Sequence, residues 1–153
     1  MNIVTTRFGQ PEIVDVDERH LVALSIVGYG EGRLFARIDN EDNPALGWLQ
    51  SLDDPATCFV VADPAAFFSD YAFDVTEDVV VALDLQTAEE VDVLVILRLG
   101  ATPFETTANL AAPIVVNRRT GRGRQIILTA PLQSGWSVRT PLLPADSTAP
   151  AGV

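Results

Sequence analysis

Apolar and polar residues alternate along this chain in short bursts that predict strands far more often than helices. Residues 2–6 contain Ile3 and Val4 beside β-branched threonines and predict a first strand, closed by Phe8-Gly9-Gln10-Pro11 as a turn. Residues 12–16 alternate as a return strand, and Asp17-Glu18-Arg19-His20 makes a polar corner. Residues 21–27 are mostly apolar and run into a loop with three glycines, Gly28, Gly30 and Gly32. Further strands are expected over 34–38, 47–52 and 58–62, the last being a continuous apolar run that reads as buried. Asp63-Pro64 predicts a short helix over 64–68, because Asp caps free N–H groups and Pro suits the first helical position. A longer helix is expected over 74–85, with Glu77 and Asp78 at the positive end of its dipole and β-branched Val79-Val80-Val81 working against it.

Residues 91–99 form the clearest strand. Every odd position is apolar, and the second face is apolar only in its middle, at Leu94 and Ile96, which is the pattern of a central strand. Residues 106–110, 114–117 and 124–129 complete the set. About ten short strands with one or two short helices and no βαβ alternation indicate a mainly β fold, a small antiparallel β-barrel or sandwich. A single domain is expected over residues 1–142, and a flexible C-terminal tail over 143–153, where Pro, Ala and small polar residues dominate.

Composition narrows the setting. The one cysteine, Cys58, excludes an internal disulfide and fits a reducing compartment. The N-terminus lacks a secretory pattern, and no apolar run approaches the roughly 20 residues that span a bilayer. A cytoplasmic protein is expected, with no membrane association. The net charge is −11, distributed unevenly. Residues 1–105 hold 20 of the 21 acidic groups and five of the ten basic ones, about −15, whereas residues 106–153 carry five arginines and Asp146 alone, about +4. The acidic part repels nucleic-acid phosphate and attracts cationic partners.

Catalytic chemistry finds little support. The lone histidine, His20, lies in a polar corner, and Cys58 lies in an apolar strand, where cysteine behaves as a small hydrophobe. Metal-ligand spacing, a phosphate-binding glycine loop and a nucleophile–base pairing are all missing. Asp53-Asp54, Glu77-Asp78 and Glu89-Glu90 are carboxylate pairs open to acid–base work, but read better as solvated turns and helix starts. Arg118, Arg119, Arg122 and Arg124 cluster in the connection between two apolar strands and raise the alternative of an RNA-binding β-barrel that grips phosphates with this turn. Aromatic residues for stacking bases are missing around it, so a charged hairpin tip or a protein-binding role is the better reading. Trp48, Trp136, Tyr71 and the Phe67-Phe68 pair supply aromatic anchors of the kind found at protein interfaces.

Five blocks in order carry a family resemblance. They are Trp48-Leu49-Gln50-Ser51-Leu52-Asp53-Asp54-Pro55 with Phe59-Val60-Val61 and Asp63-Pro64; Phe68-x-Asp70-Tyr71-x-Phe73; Thr107-Ala108-Asn109-Leu110-x-Ala112-Pro113-Ile114-Val115-Val116-Asn117; Gly123-x-Gln125-Ile126-Ile127-Leu128; and Trp136-Ser137-x-Arg139-x-Pro141-Leu142. Together they resemble the flagellar assembly factor FliW family across most of residues 1–142. One segment departs from the family pattern: residues 24–35 carry glycines where the family has a proline-containing stretch.

The resemblance implies a binding protein rather than an enzyme, with no cofactor or metal. It implies two partners, the translational regulator CsrA, whose repression of flagellin mRNA is relieved, and flagellin, bound in a chaperone-like way. An acidic domain suits a cationic RNA-binding partner, since complementary fields speed encounter. The expected CsrA surface is acidic and centred on Asp53, Asp54, Glu77 and Asp78. The expected flagellin surface is apolar and centred on Phe67, Phe68, Tyr71, Ile126 and Leu128. Direct nucleic-acid binding is not expected, and the free protein is expected to be a monomer.

Overall fold

The computed structural model describes residues 1–128 and 136–143. Its strands are β1 (Asn2–Thr5), β2 (Glu12–Asp15), β3 (Leu21–Ser25), β4 (Arg33–Asp39), β5 (Leu46–Ser51), β6 (Cys58–Ala62), β7 (Val91–Arg98), β8 (Thr107–Ala108), β9 (Ile114–Asn117), β10 (Arg122–Gln125) and β11 (Thr140–Pro141), with one α-helix, α1 (Glu77–Ala82). Strands β7, β6, β5, β4, β3, β10 and β9 are neighbours in that order, and β7 also pairs with β9, so seven strands close into a barrel. A ring of seven cannot alternate direction at every step, because the number of reversals around a closed ring must be even. One neighbouring pair must run parallel. That pair is β10–β3, in register Arg122↔Ala23, Gly123↔Leu24 and Arg124↔Ser25; the other six are antiparallel. The mainly antiparallel barrel read from the sequence is thus present, with one parallel seam that alternation could not show.

The barrel interior is packed by Val22, Leu24, Ile26, Phe35, Leu49, Val61, Leu94, Ile114 and Val116. Side chains alternate along a strand, so the intervening residues point outward, and much of this outer wall is also apolar. Three elements cover it. The β1–β2 hairpin packs Ile3 and Val16 over Ala36 and Ile38. The chain from Phe67 to Tyr71, with β8 and β11, covers Ala62, Val95 and Leu97. Helix α1 packs Val79 and Leu83 on Val115. The aromatic residues that exceed one small core are used on this outer layer. β7 touches both layers, with Leu94 inside and Val95 and Leu97 outside, as its sequence predicts.

Two polar residues and a glycine lock this arrangement. Gln50 is fully buried, and its Nε2 donates to the carbonyls of Ser51, Asp54, Pro55 and Thr57, at 3.1–3.3 Å, so it holds the β5–β6 turn from inside. Its Oε1 accepts from the Thr5 hydroxyl, tying β1 to the barrel. Gly123 leaves no room for a side chain: a Cβ there would lie 2.6 Å from the Val115 carbonyl oxygen and 2.9 Å from both Leu24 Cδ2 and Val116 Cγ2.

Several local expectations change. The helix expected over 74–85 is Glu77–Ala82 alone, and Thr76 spends its hydroxyl on the Asp78 carboxylate rather than on a backbone cap. The helix over 64–68 is a single 3-10 turn, Pro64–Ala66, capped by Asp63 as expected. The strand over 124–129 begins earlier, at Arg122, and ends at Gln125. Ile126 and Leu128 still donate their N–H groups to Pro113 and Ala111. Thr129 lies outside the described residues, as does all of the expected tail except Leu143. The chain before it is anchored, because β11 pairs with β8.

Candidate partner-binding surfaces

The arginine hairpin faces its own chain. Helix α1 ends at Ala82 and leaves carbonyls without helical partners. Asn117, fully buried at the end of β9, donates from Nδ2 to the Leu83 oxygen (2.8 Å) and the Asp84 oxygen (3.2 Å), and its Oδ1 accepts from Arg119 N (2.8 Å). Arg122 donates to the Ala82 oxygen at 3.2 Å. Arg119 donates to the Asp84 oxygen (2.8 Å), Asp84 Oδ2 (3.0 Å) and Glu90 Oε1 (2.9 Å). Asp84 takes a left-handed φ of 51°, a conformation that this set of donors holds in place. Arg118 lies 3.9 Å from Asp92, which itself pairs with Arg37 at 2.6 Å. Cations at a helix C-terminus also answer its dipole. Two of the four arginines that suggested phosphate binding, Arg119 and Arg122, therefore close α1 onto the barrel, and Arg118 turns toward β7.

The four acidic candidates occupy two places. Asp53 and Asp54 lie in the β5–β6 turn, where Ser51 Oγ accepts both of their N–H groups. The Asp54 carboxylate accepts from Ala56 N (3.0 Å) and the Thr57 hydroxyl (2.9 Å), which hold it below the usual carboxylate range. Asp53 meets Arg33 at 3.4 Å, both exposed. Glu77 and Asp78 form the first turn of α1, and the Thr76 hydroxyl keeps Asp78 low. Among the described residues, no hydrogen bond or ion pair links the two places.

The apolar candidates are mostly half-buried. The Tyr71 hydroxyl donates to the Leu110 oxygen at 2.7 Å, its ring meets Trp136 edge-on at 4.7 Å, and burial raises its pKa. Phe67 and Phe68 pack in the same outer cluster. Phe67 also lines a groove of about 440 Å³ with Leu46, Val60, Leu97, Leu99 and Leu142. Ile126 packs beneath α1. Alternation turns Ile127, rather than Ile126 or Leu128, to solvent at 59 % exposure.

One feature of the surface was not legible as a site. A cleft of about 800 Å³ opens between the β1–β2 hairpin and the β4–β5 connection, lined by Asp15, Asp17, Asp39, Glu41 and Asp42 over Ile38 and Trp48. Arg7 closes its inner end, stacked 4.4 Å over Trp48 and bonded to Glu12 at 2.8 Å. The signal in the sequence was the run Asp39-Asn40-Glu41-Asp42, which reads locally as only a polar loop.

For chemistry, burial pushes the Cys58 thiol up to about 11, away from the reactive thiolate. Among the described residues, no group of three or more His, Cys, Asp or Glu side chains converges to hold a metal ion. No described helix is long and apolar enough to cross a membrane.

Comparison with known proteins decides the lineage. The family model "FliW protein" matches residues 2–142. This chain belongs to the FliW family. A flagellar assembly factor FliW from Syntrophus aciditrophicus is 39 % identical over 129 residues, covering 84 % of this chain and 80 % of that protein. One from Bacillus licheniformis is 38 % identical over 128 residues, covering 82 % and 88 %. A crystal structure of the flagellar assembly factor FliW superposes with a TM-score of 0.83 at 28 % identity, over 96 % of this chain and all of that one.

The blocks that carried the FliW resemblance have structural roles here. Trp48 packs outside the barrel, Leu49 inside, and Gln50 and Ser51 hold the β5–β6 turn. Ala108 and Leu110 are buried in the outer layer, and Asn117 clamps α1. The departing segment runs from the end of β3 into β4 through a loop with positive φ at Gly28, Gly30 and Gly32, and its Tyr29 ring packs edge-on at 4.9 Å against Phe59.

Proposed function

We propose that this FliW-family chain is a cytoplasmic assembly factor that acts by capturing proteins. It binds CsrA and relieves repression of flagellin mRNA translation, and it binds flagellin in a chaperone-like way, so that one partner displaces the other. Family membership across residues 2–142 is the observation that carries this reading. Two physical features support it. The −11 charge favours a cationic partner over nucleic acid. The apolar groove beside Phe67 and the exposed Ile127 offer contact area for an apolar partner. Glu77 is the better charge anchor of the four acidic candidates, since Asp54 and Asp78 are occupied by their own turns and Asp53 meets Arg33.

The test is a gel-shift in which CsrA is bound to the flagellin leader RNA. Adding this protein should release the RNA, and adding flagellin should restore the shift. Asp53→Lys with Glu77→Lys should weaken CsrA capture and flatten its salt dependence. A shift by this protein alone at physiological salt would instead favour RNA binding through Arg118 and its neighbours.

A further inference from the structure

The β1–β2 hairpin has an open edge beside the acidic cleft. Met1 and Val16 exchange both backbone hydrogen bonds, Val16 N to Met1 O at 2.7 Å and Met1 N to Val16 O at 3.1 Å. The register continues Asn2↔Asp15, Ile3↔Val14 and Val4↔Ile13. Bonded and non-bonded pairs alternate in an antiparallel ladder, so Ile3–Val14 is bonded, and Ile13 and Asp15 turn their N–H and C=O groups away from β1. Among the described residues no hydrogen bond reaches those four groups. Proteins usually blunt such an edge with lysine, proline or a covering segment. Here the strand is four residues long after Pro11, its edge charges are acidic, Glu12 and Asp15, and Ile13 stands 73 % exposed.

The charge beside this edge says what fits it. Residues 14–17 with His20 form one wall of the cleft, and Arg37 to Asp42 form the other. Asp15 is tied to the N-terminal amine and Asp17 to Arg19, whereas Asp39, Glu41 and Asp42 have no ion-pair partner among the described residues. A second copy of this chain would bring carboxylates against carboxylates. A cationic strand would find both unpaired backbone groups and unpaired charge. We propose that an extended, arginine- or lysine-bearing segment of a partner protein adds to β2 as a third strand, its alternate side chains reaching Asp39, Glu41 and Asp42. Backbone pairing then supplies the fit, and the carboxylates select the sign of charge. The surface is separate from Asp53, Asp54, Glu77 and Asp78, and the proposal holds whichever protein supplies the strand.

The test uses the whole chain carrying Trp136→Phe, so that Trp48, at the floor of the cleft, reports binding by fluorescence. The probe is an end-blocked octapeptide of alternating Arg and Val. It should bind saturably, and a Glu-Val peptide should not. N-methylating the amides of one strand edge should weaken binding at least tenfold, while methylating the other edge should not. Asp39→Asn, Glu41→Gln and Asp42→Asn together should weaken it at least tenfold. Ile13→Pro removes an N–H that the hairpin does not use and should abolish binding with the melting temperature retained. If Ile13→Pro unfolds the hairpin, the two methylated peptides decide. Equal affinity for both would overturn strand addition, and equal affinity for the Arg and Glu peptides would overturn charge selection.

Discussion

The arginine hairpin and the acidic cleft are both dense in charge, and the fold treats them in opposite ways. In the hairpin, Arg119 is bonded to Asp84 and Glu90, and Arg122 to the end of α1. In the cleft, Asp39, Glu41 and Asp42 form no ion pair among the described residues, since Arg37 is taken by Asp92 and Arg7 by Glu12. A run of like charge therefore does not by itself mark an interaction surface. What matters is whether its complement lies in the same chain. The hairpin found its complement in residues 82–92, about thirty positions away, and became a clamp. In the cleft Asp15 and Asp17 found theirs close by, and Asp39, Glu41 and Asp42 form no ion pair among the described residues.

The contrast can be broken at its strongest point first. Gly123→Ala, inside the hairpin, forces a methyl against the Val115 carbonyl and should cost about 2–3 kcal/mol in urea unfolding. A cost near zero would mean that the seam between β10 and β3 is loosely packed. Asn117→Ala orphans the Leu83 carbonyl, leaves the Asp84 carbonyl to Arg119 alone, and should cost about 2 kcal/mol. If that variant unfolds like the parent, the clamp is not what holds α1.

The Gln86 N–H and the Arg119 guanidinium hold Glu90 below its ordinary value, and Asp54 and Asp78 are likewise depressed. A depressed carboxylate contributes stability that is complete above the unfolded range near pH 4–5 and lost as pH falls through the folded value. Melting temperature should accordingly fall below about pH 5, and Glu90→Gln should make that fall shallower. An unchanged acid profile in Glu90→Gln would remove the hairpin's carboxylate partner from the account. The smallest effect is expected in the cleft. Asp39→Asn, Glu41→Gln and Asp42→Asn together should leave stability within about 0.5 kcal/mol, since no internal partner is lost. A marked loss would show that these carboxylates are structural after all.

Much of the barrel was legible one strand at a time. Alternation and short apolar runs located β1 to β7 and β9 within a residue or two, and the double-faced pattern of Val91–Arg98 made β7 central. Caps and helix ends were less legible. Asp63 behaved as its position before Pro64 predicts, but Thr76 bonded a neighbouring carboxylate, and α1 spans only six residues. Of the candidate surface residues, Phe67, Phe68 and Tyr71 were singled out as aromatic anchors. Their half-burial came from an outer layer that no local pattern reveals.

The division follows from range. Strand position, strand face, turn chemistry and net charge are properties of neighbouring residues, so the amino-acid order settles them alone. Closure of the ring is not local. The parallel β10–β3 seam follows from the parity of seven strands, and strand count around a ring exists only once β7 meets β9. Charge pairing is not local either: Arg119 and Glu90 are 29 positions apart and meet because β7 pairs with β9 in register Val91↔Asn117. Tertiary structure turned the arginine cluster into a clamp and left an ordinary acidic loop facing an unpaired strand edge.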